Sequence, residues 1–191
     1  MADVYEKCSV IENECWELRL VTEEDAKDLV KVYRDKNALP FFNSDNCHGD
    51  NFYYRTEEQM HDVIKGWLWE YARKGFVRFA IIEKRSGEAI GTVELFNRVS
   101  EDSFNGYGIL RLDVRSDYER EDVLSPILSL ITEPAYTLFS CTMIATKAAI
   151  YAVERVEALK KAGFEKTDQC LVGHDGTTYR DYWVRKQTVR G

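Results

Sequence analysis

No stretch of this chain stays uncharged for long enough to cross a bilayer. The run from Ala135 to Thr146 ends at Lys147 after twelve residues. The first twenty residues, MADVYEKCSVIENECWELRL, carry charges throughout and lack the apolar centre of a signal peptide. Paired cysteine spacing is missing as well. The five cysteines (Cys8, Cys15, Cys47, Cys141, Cys170) are odd in number and read as free thiols in a reducing cytoplasm. There is no surplus of positive charge: 26 Lys and Arg face 33 Asp and Glu, for a net charge of -7. That balance excludes a nucleic-acid partner, because binding to the phosphate backbone needs clustered cations. It fits a neutral or cationic small substrate better. No repeat, linker or low-complexity tract divides the chain, so 1–191 reads as a single domain with its core at about 16–187.

What is present is the composition of a soluble globular protein, 45% hydrophobic, 13% aromatic and 31% charged. Residues 1–14 read as polar and loose. WELRLV, from Trp16, alternates as a strand does, and Thr22 with Asp25 opens a helix by a variant of the capping box. Residues 35–55 form a long loop rich in turn residues and in aromatics, among them Phe41, Phe42, Phe52, Tyr53 and Tyr54. These rings either line a binding wall or lid the core. TEEQ at Thr56 is a full capping box for a helix that runs to Tyr71 and stops at Gly75. Strands at 77–84 and 88–96 form a hairpin across Arg85-Ser86-Gly87. GYGILRLDV then adds a core strand, parallel on one side, to complete a three-stranded meander. A charged loop separates it from a helix predicted to begin at Ser125-Pro126 and to be kinked or split at Pro134. Strand 141–148, helix 153–161 and two tail strands around Asp175-Gly176 follow.

This order, with ELRLVTEEDAKDLVKVY at the start, GEAIGTVELFN in the middle, and ERVEALKKAGFEK and HDGTTYRDYWVRK at the end, resembles the GCN5-related N-acetyltransferase (GNAT) family. It lies nearest the family's ribosomal-protein N-terminal acetyltransferase branch. The resemblance spans about residues 16–187 and implies an α+β fold. The expected architecture is a central mixed, largely antiparallel sheet of about six to seven strands flanked by about four helices. It also implies acetyl-CoA as co-substrate, in the groove beside Leu112, Asp113 and Val114. Further contacts are expected from Arg115, Arg120, Val123, Leu124 and Ser125, where a strand, a loop and a helix N-terminus come in succession.

The chain departs from the family pattern at that groove. The family's Arg or Gln falls on Glu119, and its two small loop residues fall on Asp122 and Leu124. Asp117, Glu119, Glu121 and Asp122 oppose only Arg115 and Arg120, and a carboxylate about 4 Å from a phosphate oxygen costs roughly 1 to 4 kcal/mol. Glu121 and Asp122 can instead favour the positive end of the following helix. Side chains at the small positions also obstruct close backbone approach. The family's Asn and Ser fall on Ala152 and Arg155, its thiolate-protonating Tyr on Leu159, and its strand carboxylate on Gly108.

Other residues are candidates for the chemistry. Glu94 is a candidate water-assisted base, against an equal reading in which the alternating strand turns it to solvent. Tyr107 and Tyr151 lie near the expected site as donors to an oxyanion or thiolate, or as packing residues. Cys47-His48, with Asp50 and His61 nearby, matches no closed zinc pattern, so no metal is assigned; His174 reads as a turn residue. The leading function is transfer of an acetyl group from acetyl-CoA to a small-molecule or peptide amine by direct attack. The acceptor is expected beneath the aromatic loop and the terminal hairpin, with neither membrane nor nucleic acid involved. The alternative is a catalytically inactive acetyltransferase-fold protein acting as a binding or regulatory module, as a homodimer.

Overall fold

The structure is a computed structural model and describes residues 3–188. In chain order the elements are β1 (Ile11–Glu12), β2 (Trp16–Leu20), α1 (Ala26–Tyr33), α2 (Glu57–Ala72), β3 (Val77–Glu83), β4 (Glu88–Asn97) and β5 (Gly108–Val114). They continue with α3 (Glu121–Leu138), β6 (Met143–Lys147), α4 (Val153–Lys161), β7 (Glu165–Lys166), β8 (Leu171–Val172), β9 (Thr178–Tyr179) and β10 (Tyr182–Lys186).

Eight strands form one sheet in the order β1-β2-β3-β4-β5-β6-β10-β7, antiparallel except for the β5–β6 pair. This is the expected mixed, largely antiparallel sheet with four helices, one strand larger than predicted. The β3-β4-β5 meander and the parallel partner of β5 stand as read from the sequence. Alternation sorts the side chains to two faces. Leu110, Leu112 and Val114 pack with α3 and α4, while α1 and α2 cover the opposite face with Tyr33, Met60, Ile64 and Trp67.

Local chemistry explains the helix starts. Thr56 Oγ1 accepts from Gln59 N at 3.1 Å and closes the N-terminus of α2. Thr22 N donates to Asp25 Oδ2 at 2.8 Å; a single 3-10 turn, 23–25, precedes α1. The third start differs from expectation. Helix α3 begins at Glu121, not at Ser125, and runs unbroken through Pro126 and Pro134. Glu121 and Asp122 occupy its first turn, where negative charge is favoured, and Ile127, Leu128, Ile131 and Ala135 bury its apolar face. That packing offsets the backbone bonds the prolines forgo.

Two further readings are corrected. The amino-terminal segment is docked, since Val4 is buried, Tyr71 Oη donates to Val4 O at 2.9 Å, and β1 pairs with β2. The tail is not one hairpin: β8 and β9 form a separate two-stranded piece, and Asp181, at φ +67°, turns the chain back into β10. In the aromatic loop, Phe42, Phe52 and Tyr54 pack around Tyr33 as a lid on the core, and Phe41 and Tyr53 are only half-buried.

Candidate active site

The parallel pairing of β5 with β6 lasts three residues, Gly108↔Ile144, Ile109↔Ala145 and Leu110↔Thr146. From Arg111 onward β5 has no partner on that side, and the two strands part. The open wedge is the feature around which the candidate site is built.

A row of charged residues crosses the sheet at the level of the parting. Arg78 on β3 lies opposite Glu94 on β4, which lies opposite Arg111 on β5. Lys147, across the parting, lies opposite Tyr182 on β10. Glu94 is 1% exposed, so the solvent-facing reading is wrong. One of its oxygens pairs with Arg78 and the other with Arg111 Nη1 at 2.5 Å. Burial opposes the charge of Arg78, and Glu94, Tyr33 and Asp113 outweigh it, so the guanidinium stays charged more firmly than usual. Its plane also lies over the Trp67 ring at 4.2 Å. Asp113 faces the same side and accepts from Tyr33 Oη at 3.1 Å; burial raises its carboxyl pKa.

The parting itself is filled from the long loop. Asp45 places Oδ1 and Oδ2 at 2.6 and 2.8 Å from Lys147 Nζ and accepts from Tyr182 Oη at 3.1 Å. Its backbone carbonyl accepts from Arg111 Nη2 at 2.8 Å. A cavity of 430 Å³ shares Arg111 with this junction and is walled by Cys47, His48, Glu70, Glu94, Arg111 and His174. It lies between the aromatic loop and the terminal hairpin, where the sequence places an acceptor. The His48 and His174 rings stack there, 5.7 Å apart and 4° from parallel. Burial pushes the Cys47 thiol up to about 11, which leaves little thiolate for nucleophilic work.

On the other face, the two departures at Glu119 and Arg155 meet. Arg155 Nε and Nη2 donate to Glu119 Oε1 and Oε2 at 2.6 and 2.7 Å, and Nη1 donates to the Leu112 carbonyl at 2.6 Å. Both residues are buried. At the start of α3, Glu121 N donates to Glu154 Oε2 at 2.8 Å. Arg115 is held by Asp117 at 2.7 Å and Glu88 at 2.9 Å, and Arg120 by Asp122 at 2.9 Å. Every carboxylate of the loop therefore has a partner, Glu121 being held by Lys161 at 2.7 Å.

The structure brings some predicted residues together and separates others. Leu112, Val114 and Leu124 turn their side chains into the core, leaving only backbone for a ligand, while Val123, also packed on the core, borders a cavity of 730 Å³ with Tyr118, Arg120 and Asp122. Ser125 donates to Glu121 Oε1 at 2.6 Å. Tyr151 is exposed beside the wedge and donates to the Pro40 carbonyl at 2.6 Å, with its ring against Phe41. Tyr107 packs edge-on against Phe104, as a packing residue of the cluster that also holds Ile109, Ala145 and Tyr182. Asp45, Arg78, Lys147 and Tyr182 escaped the sequence reading. Glu119 and Arg155 carried a usable signal: a family base replaced by an acid, and a family serine by a base.

The class of protein follows from this fold. Residues 16–165 match the family model for the acetyltransferase (GNAT) domain, and the chain belongs to that family. Solved structures agree on the fold. The ribosomal-protein-S5-alanine acetyltransferase from Vibrio fischeri has a TM-score of 0.66 at 15% identity, over 92% of this chain and 94% of that one. RimL, a ribosomal L7/L12 alpha-N-protein acetyltransferase in complex with coenzyme A, has 0.67 at 13%, over 93% and 98%. The aminoglycoside acetyltransferase AAC(6')-Ib with coenzyme A and kanamycin has 0.64 at 16%, over 94% and 95%. No curated protein matches the sequence. Among the described residues no helix is long and apolar enough to cross a membrane.

Proposed function

We propose that this chain is an N-acetyltransferase that moves an acetyl group from acetyl-CoA to an amine by direct attack, in the cytoplasm. The observation that carries the reading is the wedge between β5 and β6, opposite a pocket of 430 Å³ on the other face. Acetyl-CoA would supply a thioester whose carbonyl carbon the amine attacks, the carbon–sulfur bond breaking and a proton ending on the departing thiolate.

The wedge fits a slender thioester arm, because Leu112 to Val114 have no strand partner on that side. Leu112 and Val114 turn their backbone polar groups toward such an arm, the Asp113 backbone being directed at β4, and Arg155 would exchange its bond to the Leu112 carbonyl for the ligand's. Arg115 and Arg120 would hold phosphate by exchanging carboxylate partners. Tyr151, exposed and bonded to the Pro40 carbonyl, would be the donor to a leaving thiolate. Glu94 we assign as an anchor between two arginines, and the amine's proton leaves through water.

Calorimetric titration of acetyl-CoA, with dephospho-CoA as control and an amine screen to follow, tests the reading. Micromolar binding is expected, and no heat at millimolar ligand refutes it. That second result would establish the alternative, a binding module, which the internally satisfied loop around Glu119 and Arg155 favours.

A further inference from the structure

The charged row is short of one negative charge. Arg78, Arg111 and Lys147 face two carboxylates among the strand residues, Glu94 and, 3.5 Å from Arg78, Asp113, and Asp45 supplies the third from a loop. Two donors from adjacent strands hold the carboxylate, Lys147 Nζ from β6 and Tyr182 Oη from β10, while Arg111 Nη2 from the next strand, β5, holds the Asp45 backbone carbonyl. Tyr182 is fully buried, and Arg111 is 7% exposed. Arg111 also lines the pocket, and its Nε has no acceptor at all. A buried guanidinium N–H without a partner is a donor awaiting an anion or a polar ligand atom.

The group that fills this place is not part of the sheet. Asp45 rides on a loop that turns left-handed at three non-glycine residues, Asn46 (φ +59°), His48 (+54°) and Phe52 (+62°). Such conformations are strained for residues with a side chain and persist only where neighbouring contacts hold them. The contacts here are the Asp45 ion pair, the bond from His174 N to Asn46 Oδ1 at 2.9 Å, and the His48–His174 stack.

We propose that Arg111, Lys147 and Tyr182 form a carboxylate-binding site, which Asp45 occupies as an internal stand-in and which a ligand's carboxylate takes over. On the acetyl-transfer reading, which this part rests on, the acceptor is a small amine that also bears a carboxylate, an amino-acid-like molecule. Its amine then lies at the wedge, beside the end of the β5–β6 pairing. The pocket volume suits a ligand of that size. Net charge alone favours a cationic amine; once Asp45 has left, the Lys147 and Tyr182 donors favour an anionic group beside that amine.

The test uses three five-carbon probes in calorimetry on the full chain: glutamate, glutarate and 1,5-diaminopentane. Glutamate and glutarate are expected to bind and the diamine not to. Lys147→Met should weaken both acids at least tenfold. Asp45→Ala should melt lower than the wild type, and acetate should restore its melting temperature where chloride at equal ionic strength does not. Binding of the diamine in preference to glutamate overturns the proposal, as does acetate acting no better than chloride. Should Asp45→Ala fail to fold, the comparison of wild type with Lys147→Met decides alone, and equal acid affinities refute the site. Carboxylate binding is read without acetyl-CoA, so its failure is distinct from failure of the acetyl-transfer reading.

Discussion

Arg155 and Glu119, 36 residues apart, hold each other through two parallel bonds of 2.6 and 2.7 Å, buried between α4 and the loop before α3. Removing one partner leaves the other charged and dry. Arg155→Ala should therefore cost about 3–5 kcal/mol in urea unfolding, whereas Arg155→Met with Glu119→Gln should cost well under the sum of the single changes. Additive losses would show that the pair is not coupled.

Freeing the Leu112 carbonyl has a second consequence. Where Arg155 competes with a ligand for that oxygen, Arg155→Ser with Glu119→Gln should tighten acetyl-CoA binding by tenfold or more in calorimetry. Unchanged affinity would place the pair outside the ligand's path.

Glu94 distinguishes an anchor from a base. Glu94→Leu leaves Arg78 and Arg111 without their shared carboxylate and should lower stability by about 3–5 kcal/mol. Glu94→Gln should lower the melting temperature and any acetylation rate together. A base would instead lose rate with the melting temperature intact and flatten the acidic limb of the pH profile.

Asp102 provides a pH signature. Burial opposes its ionisation, but Arg98, the amides of Val172 and Phe104, and the Ser100 hydroxyl outweigh that and hold the carboxyl well below the usual range. A depressed folded-state pKa contributes stability that is complete above the unfolded value, about 3.9, and is lost as pH falls toward the folded one. Asp102→Asn should thus be less stable than wild type at pH 6, and the difference should shrink as urea midpoints are followed down to pH 3. A gap independent of pH would mean that the charge is not involved.

Thiol reactivity should divide the cysteines. Burial pushes Cys8 and Cys47 up to about 11, so at pH 8 roughly one molecule in a thousand carries the thiolate at either position. Cys15 is exposed. Iodoacetamide followed by peptide mass analysis should find Cys15 modified first, and rapid labelling of Cys47 would contradict its burial.

Much of the fold was legible because its signals are local. A capping box at Thr56, a short Gly-containing link at 84–87 and an apolar run at 108–114 each specify an element from neighbouring residues. The start of α3 was misplaced because Ser125-Pro126 imitates a helix N-terminus, while the acids that open the helix read as loop. Glu94 was misread for a different reason. Alternation assigns it a face, but whether that face is wet depends on Arg78 and Arg111, which only strand register brings beside it. The same holds for Asp45, whose partners are 66 to 137 residues away. Glu119 and Arg155 were each legible as a departure, and opposite changes of charge at two motif positions were the clue that they belong together.

The bond from the Tyr151 hydroxyl to the Pro40 carbonyl ties the long loop to the connection between β6 and α4. Lifting the loop to admit a molecule breaks that tie, and whatever reorganises the connection changes the cost of lifting by the same amount. Two substrates arriving from opposite faces of the sheet would thus alter each other's affinity equally, and order of addition would leave its mark on the kinetics without any further element in the fold.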